Sequence, residues 1–139
     1  MGKAKPGKPG SSCKVLSAVS DKRSMPRRFL QPSIMLLLAE EPAHGYALLD
    51  KLVAMGVAEK RLPLPLVYRT LLQLESRRLA GFGFAKPEGR GPARKVYHLT
   101  EKGWKELASW AESMQDVKSF ACEFQERYET VLKGRKAKE

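Results

Sequence analysis

The chain has 139 residues, a length suited to one domain, and 42% of them are hydrophobic and 8% aromatic. That is enough for a modest core but too little for a large enzyme with a deep pocket. The formal net charge is +11, and its placement favours a polyanion partner, nucleic acid before anionic membrane. Eight Lys/Arg stand against one Asp in residues 1–28, four against one acid in 86–95 and four against one in 133–139, while 101–132 holds four basic and seven acidic residues.

Residues 1–28 open with MGKAKPGKPGSS. Such Gly, Pro, Lys and Ser cannot bury enough surface to offset ordering entropy, so this segment reads as a basic, flexible extension. Within it GKAKPGKP (2–9) imitates a phosphate loop through Gly2, Gly7 and Lys8. Pro9 stands where Ser or Thr would hold Mg²⁺ and no strand precedes it, so the match is a coincidence of composition. Cys13 and Cys122 lie far apart without C-x-x-C spacing. They imply no disulfide framework and leave a reducing cytoplasm as the default location. The patch 15–20 is too short and too polar for a signal-peptide core.

Order is expected from about Phe29. QPSIMLLLAEE (31–41) places Pro32 in a first turn, where proline is tolerated, and Pro42 ends the helix. Its run 34–39 is apolar all round, which predicts a central, buried helix. At six residues it is far short of the roughly 18 of a membrane span. HGYALLDKLVAMG (44–56) predicts a second helix with an apolar stripe of Tyr46, Leu48, Leu49, Leu52 and Val53, ending near Gly56. VAEKRLPLP (57–65) reads as a loop, and 66–79 as a third helix before Gly81.

The third helix divides into two faces. At 100° per residue Leu66, Arg69, Thr70, Gln73 and Arg77 fall within about 100° of one another, opposite Val67, Leu71 and Leu74. The leucines predict packing; Arg, Thr and Gln are the side-chain types that read guanine, thymine and adenine edges in a major groove. Glu75 falls on the packing face.

The period then changes. FGFAK (82–86) and KVYHLT (95–100) alternate, with Val96 and His98 on one face and Tyr97 and Leu99 on the other. The Gly/Pro-rich PEGRGPAR between them predicts a β-hairpin with a basic tip of Lys86, Arg90, Arg94 and Lys95. Thr100 is placed to cap a helix from Glu101 to about Leu132, roughly 45 Å at 1.5 Å per residue. Its stripe runs through Trp104, Leu107, Ala111, Met114, Val117, Ala121, Phe124, Tyr128 and Val131, which predicts packing on a second copy of the chain. Residues 134–139 form a basic tail.

The fold class is therefore mainly α with a small β-hairpin: a winged helix-turn-helix over 29–100 and a long C-terminal dimerisation helix over 101–133. In that arrangement the third helix enters the major groove and the wing lies over the backbone or minor groove. Arg69, Thr70 and Gln73 are the candidates for base contacts, and Tyr68, Arg77, Arg90, Arg94 and Lys95 for phosphate contacts. His44 and His98 sit in different elements with no ligand spacing, so no metal or cofactor is expected; His44 more simply fixes the turn before its helix. The catalytic motifs of hydrolases and metalloproteases are missing, which argues against an enzyme.

These segments resemble the PadR family of bacterial transcriptional regulators. The resemblance rests on IMLLLAEEPAHGYALLDKL (34–52), LVYRTLLQLESRRLAG (66–81) and ARKVYHLTEKG (93–103), about half the chain. It implies a winged helix-turn-helix homodimer, repression by binding double-stranded DNA at a pseudo-palindromic operator, and relief by a small effector. Some relatives bind flat aromatic compounds between paired C-terminal helices, which would place an effector at Trp110 and Met114; the simpler reading has both filling the dimer core. The alternatives to an operator-reading repressor are a winged-helix protein-interaction module and a nonspecific architectural DNA-binding protein driven by residues 1–28. The chain departs from the family at Leu66, where members tend to carry Thr, suggesting an apolar contact to a thymine methyl. It also departs at Arg78, where members usually have Gly, suggesting a third helix one residue longer. Glu75 matches the family pattern and is expected to be structural, partnered by Arg78 or a backbone amide.

Overall fold

The computed structural model describes residues 27–85 and 91–138. A 3₁₀ turn, Arg27–Phe29, leads into α1, Leu30–Glu40. Then follow α2, Gly45–Met55; α3, Leu64–Ser76; β1, Ala80–Ala85; β2, Arg94–Leu99; and α4, Glu101–Lys138. Arg90 and Lys86 of the hairpin tip, and the basic extension up to residue 26, lie outside the described residues. The chain divides into two units, 21–111 and a second that includes 112–139.

The first unit is built round a core of Ile34 and Met35 from α1, Leu48 and Leu52 from α2, Val67, Leu71 and Leu74 from α3, with Leu79 and Tyr97. All nine are fully buried, and each contributes about 1.5–3 kcal/mol. As expected, α1 is central, with Leu36 its one apolar residue classed as exposed. Glu41 turns extended (φ −171°, ψ 148°) ahead of Pro42, which disfavours helix in the residue before it. In α2 the stripe needs one correction: Tyr46 is exposed, because its neighbours Leu48, Leu49 and Leu52 already fill the space against α1 and α3.

Two helices end in the same hydrogen-bonded cap. At α2, Val57 N–H donates to Leu52 O and Gly56 N–H to Val53 O, with Gly56 left-handed (φ 91°). At α3, Leu79 N–H donates to Leu74 O (2.8 Å) and Arg78 N–H to Glu75 O (2.9 Å), with Arg78 left-handed (φ 64°). Both are Schellman caps, and the buried Leu74–Leu79 pair is their usual apolar companion. The third helix is therefore not longer at Arg78. It stops at Ser76, and Arg78 holds the conformation that glycine adopts without a side-chain penalty.

The hairpin pairs antiparallel from Ala80↔Leu99 to Ala85↔Arg94. Ala43 adds a bridge to its edge, exchanging both backbone hydrogen bonds with Tyr97 (3.0 and 2.8 Å). Tyr97 and Leu99 point into the core while His98 is exposed, as the alternation predicts. Thr100 caps α4: its hydroxyl accepts from Gly103 N–H (3.0 Å) and donates to Arg78 O (2.8 Å). A Cβ on Gly103 would overlap the Leu79 carbonyl oxygen, so only glycine lets the first turn of α4 lie against the turn that precedes β1. The helix then runs on through Gly134 to Lys138. Residues 134–138 are thus helical, where a separate tail had been expected, because Ala, Lys and Arg sustain a helix at its basic C-terminal end.

Cys122 of α4 is not a free thiol; the chain's other cysteine, Cys13, lies outside the described residues. No helix among the described residues is long and apolar enough to cross a membrane.

Candidate nucleic-acid interface

The α2–turn–α3 unit sets the angle of α3, and burial along α3 shows which face it presents. Val67, Thr70, Leu71 and Leu74 are buried. Pro65, Arg69, Leu72, Gln73 and Ser76 are exposed. This ridge is turned by roughly 60°, at 100° per residue, from the face read in the sequence. The turn removes Thr70, which is only 6% exposed and donates its hydroxyl to Leu66 O of its own helix (3.1 Å). It adds Leu72, which is 55% exposed. Thr70 therefore cannot reach a base edge from this packing. The signal was available: 67, 70, 71 and 74 are spaced as one helical stripe, and a threonine that bonds its own backbone fits inside it.

Three other expected contacts take a different place in the packing. Leu66 is half-buried and packs against the core, away from the centre of the presented face. Tyr68 lies over Gly45, where a Cβ would come within 2.8 Å of its ring, so the HGY glycine is explained by α2–α3 packing. Arg77 donates to Glu106 of α4 (3.2 Å) and lies 3.5 Å from Gln31 Oε1 of α1, while Lys102 donates to its carbonyl. It ties three helices together while its side chain stays half exposed. Glu75 is not held by Arg78 or by a backbone amide; its Oε1 is buried and makes no hydrogen bond.

On the wing, Lys95 sits with its ammonium 4.0 Å from the Phe82 ring centroid and 5.5 Å from that of Tyr97. That places a cation on an aromatic platform. Phe84 meets Phe82 edge-on (5.7 Å) and is largely exposed. Arg94 places Nη1 3.1 Å from Nε2 of His44. His44 itself caps α2, its Nδ1 accepting from Ala47 N–H (3.3 Å). Burial, then the charges of Arg94 and Lys51, hold its imidazole below the ordinary range. Among the described residues no cluster of His, Cys, Asp or Glu is arranged to hold a metal ion.

Along α4, Leu107 and Trp110 are half-buried and pack against the first unit's core. Trp104 and Ala111 are exposed, and Met114 is half-buried. In the second unit Val117, Ala121, Phe124, Tyr128 and Val131 are exposed. Phe120 joins them, its ring 6.2 Å from that of Phe124; the stripe read in the sequence omitted it.

Three helices, the second pair forming a helix-turn-helix, followed by a two-stranded wing, define a winged helix-turn-helix protein. The model of the transcriptional regulator PadR-like family matches residues 34–109, more than half of the chain, which therefore belongs to that family of transcriptional regulators. Among solved structures it is similar to a conserved protein of unknown function described as a potential transcriptional factor, at 29% identity and TM-score 0.64, covering 76% of this chain and 92% of that one. It is also similar to a PadR-like transcriptional regulator from Bacillus cereus, at 26% identity and TM-score 0.60, covering 68% of this chain and 89% of that one. Bacillus subtilis PadR in complex with operator DNA shares the fold at 24% identity and TM-score 0.52, covering 60% of this chain and 47% of that one. Comparison with curated proteins gives no match.

Proposed function

We propose that this chain is a sequence-specific DNA-binding repressor acting as a homodimer on a pseudo-palindromic operator. The observation that carries the reading is the exposed ridge of α3, Arg69, Leu72, Gln73 and Ser76, beside a wing that carries Arg94 and Lys95. Arg69 suits guanine, Gln73 suits adenine, and Leu72 takes over the thymine-methyl contact first assigned to Leu66. Arg94, Lys95 and the tip residue Arg90 serve the phosphates. Residues 29–100 act as the DNA-binding domain, and 101–133 as the dimerisation helix through Val117, Ala121, Phe124 and Tyr128. Trp110 packs on its own domain, so the regulator is proposed without an assigned effector site.

The test is a footprint on the DNA upstream of the protein's own operon across a salt series. The expected result is two protected half-sites about one helical turn (roughly 34 Å) apart, with affinity falling steeply as salt rises. Arg69→Ala and Gln73→Ala should each cost about 1–3 kcal/mol and relax sequence preference at one position. Protection without sequence preference would overturn operator reading. A second reading, docking of a protein on α3, is favoured by the exposed Leu72. It wins if the double variant Arg69→Ala, Gln73→Ala leaves DNA affinity and preference unchanged.

A further inference from the structure

His44 does more than cap α2. Its Nδ1 lies 3.3 Å from the Ala47 N–H as the cap acceptor, a contact that selects the neutral tautomer with its proton on Nε2. That Nε2 faces Arg94 Nη1 at 3.1 Å, and a guanidinium has no acceptor. In that tautomer two donors from different elements converge on the same point at the surface, where one acceptor oxygen can take a hydrogen bond from each. The surrounding charge selects an anion: Arg94 lies on β2, and Lys51 on α2 acts on the ring while bound to Glu41 (2.6 Å). The position suits DNA. Gly45 lies against Tyr68, one residue before Arg69, and Ala43 is hydrogen-bonded to Tyr97 of β2. His44 thus stands between the presented helix and the wing.

We infer that the His44 Nε2–H and the Arg94 guanidinium together grip one phosphate oxygen of the DNA backbone. This rests on the DNA-binding reading above. The two partners contribute differently. Arg94 brings charge and releases a counterion on binding, whereas neutral His44 brings a directed hydrogen bond and releases none.

The experiment uses the full chain and a mixed-sequence 30-base-pair duplex at low salt, since a backbone contact needs no operator. His44→Asn keeps a side-chain cap for α2, so the fold survives, which thermal unfolding verifies. The expected result is a loss of roughly tenfold in affinity for His44→Asn and for Arg94→Gln. The double variant should lose little more than the worse single one, because both serve one oxygen. The slope of log affinity against log salt should fall by about 0.9 for Arg94→Gln and stay unchanged for His44→Asn. In ¹⁵N-resolved spectra the ring proton should sit on Nε2 and move on adding duplex. Wild-type affinity in His44→Asn, fully additive losses, or a ring proton on Nδ1 would each overturn the site. A ring that responds to inorganic phosphate at matched ionic strength but not to duplex would overturn the DNA assignment in favour of a soluble phosphate. Failure of the wild-type chain to bind any duplex would instead sink the DNA-binding reading itself.

Discussion

Two helices of this protein carry apolar residues at the same three- and four-residue spacing and meet opposite fates. On α3, Val67, Leu71 and Leu74 are 0% exposed, enclosed by α1, α2 and the strand that follows. On the second half of α4, Phe120, Phe124, Tyr128 and Val131 are 56–68% exposed. Spacing creates a face in both; only a surrounding layer turns a face into a core. The exposed row on α4 is the seam on which the proposed homodimer would pair.

The largest expected effect comes from breaking that seam. On the homodimer proposed above, replacing Phe120 and Phe124 together by Glu should leave a chain that sediments as a monomer without loss of helical circular dichroism. Operator affinity should fall on the order of 100-fold, because the second half-site no longer binds intramolecularly. A variant that still sediments as a dimer would show that the exposed stripe is not the interface.

Glycines at the two ends of α4 sharpen the same contrast. Gly103→Ala should destabilise by about 2–3 kcal/mol in urea unfolding, since its Cβ would strike the Leu79 backbone. Gly134 has nothing within 4 Å of an added Cβ, so Gly134→Ala should stabilise the helix by up to about 1 kcal/mol. Equal effects at the two positions would mean that the start of α4 is not packed as described.

Within the first unit the matched caps provide a smaller test. Arg78→Gly should stabilise by about 0.5–1 kcal/mol, relieving a left-handed arginine where α2 already uses Gly56. A loss of stability would mean that the Arg78 side chain holds something more valuable than its backbone costs.

The smallest effect is on pH. His44 has a folded-state pKa below its ordinary 6.5, through burial first and then Arg94 and Lys51. Between the two values the unfolded chain binds the extra proton. The stability due to neutral His44 is therefore complete above about 6.5 and is lost as pH falls toward the folded value. A melting-temperature profile from pH 7.5 to 5 should decline in this window, and His44→Asn should flatten that part of it.

Much of the fold was legible because local chemistry encodes it. Pro42, Gly56 and Thr100 mark helix ends through backbone geometry and capping, and the alternation of Tyr97 and Leu99 with Val96 and His98 marks a strand with one buried face. The candidate site was less legible, because its side chains have two uses each. Thr70 is polar by type but spends its hydroxyl on Leu66 O, and so joins the core. Arg77 is cationic by type but is held by Glu106 and Gln31, residues 29 and 46 positions away in the chain. Neither fact follows from a wheel drawn on one helix.

The sequence by itself settled the order of elements, the winged helix-turn-helix class and the ends of most helices, since these depend on residues within a turn or two of each other. The tertiary structure alone decided the rotation of α3, the left-handed state of Arg78 and the meeting of His44 with Arg94. These depend on which side chains from distant parts of the chain compete for the same space and the same hydrogen bonds.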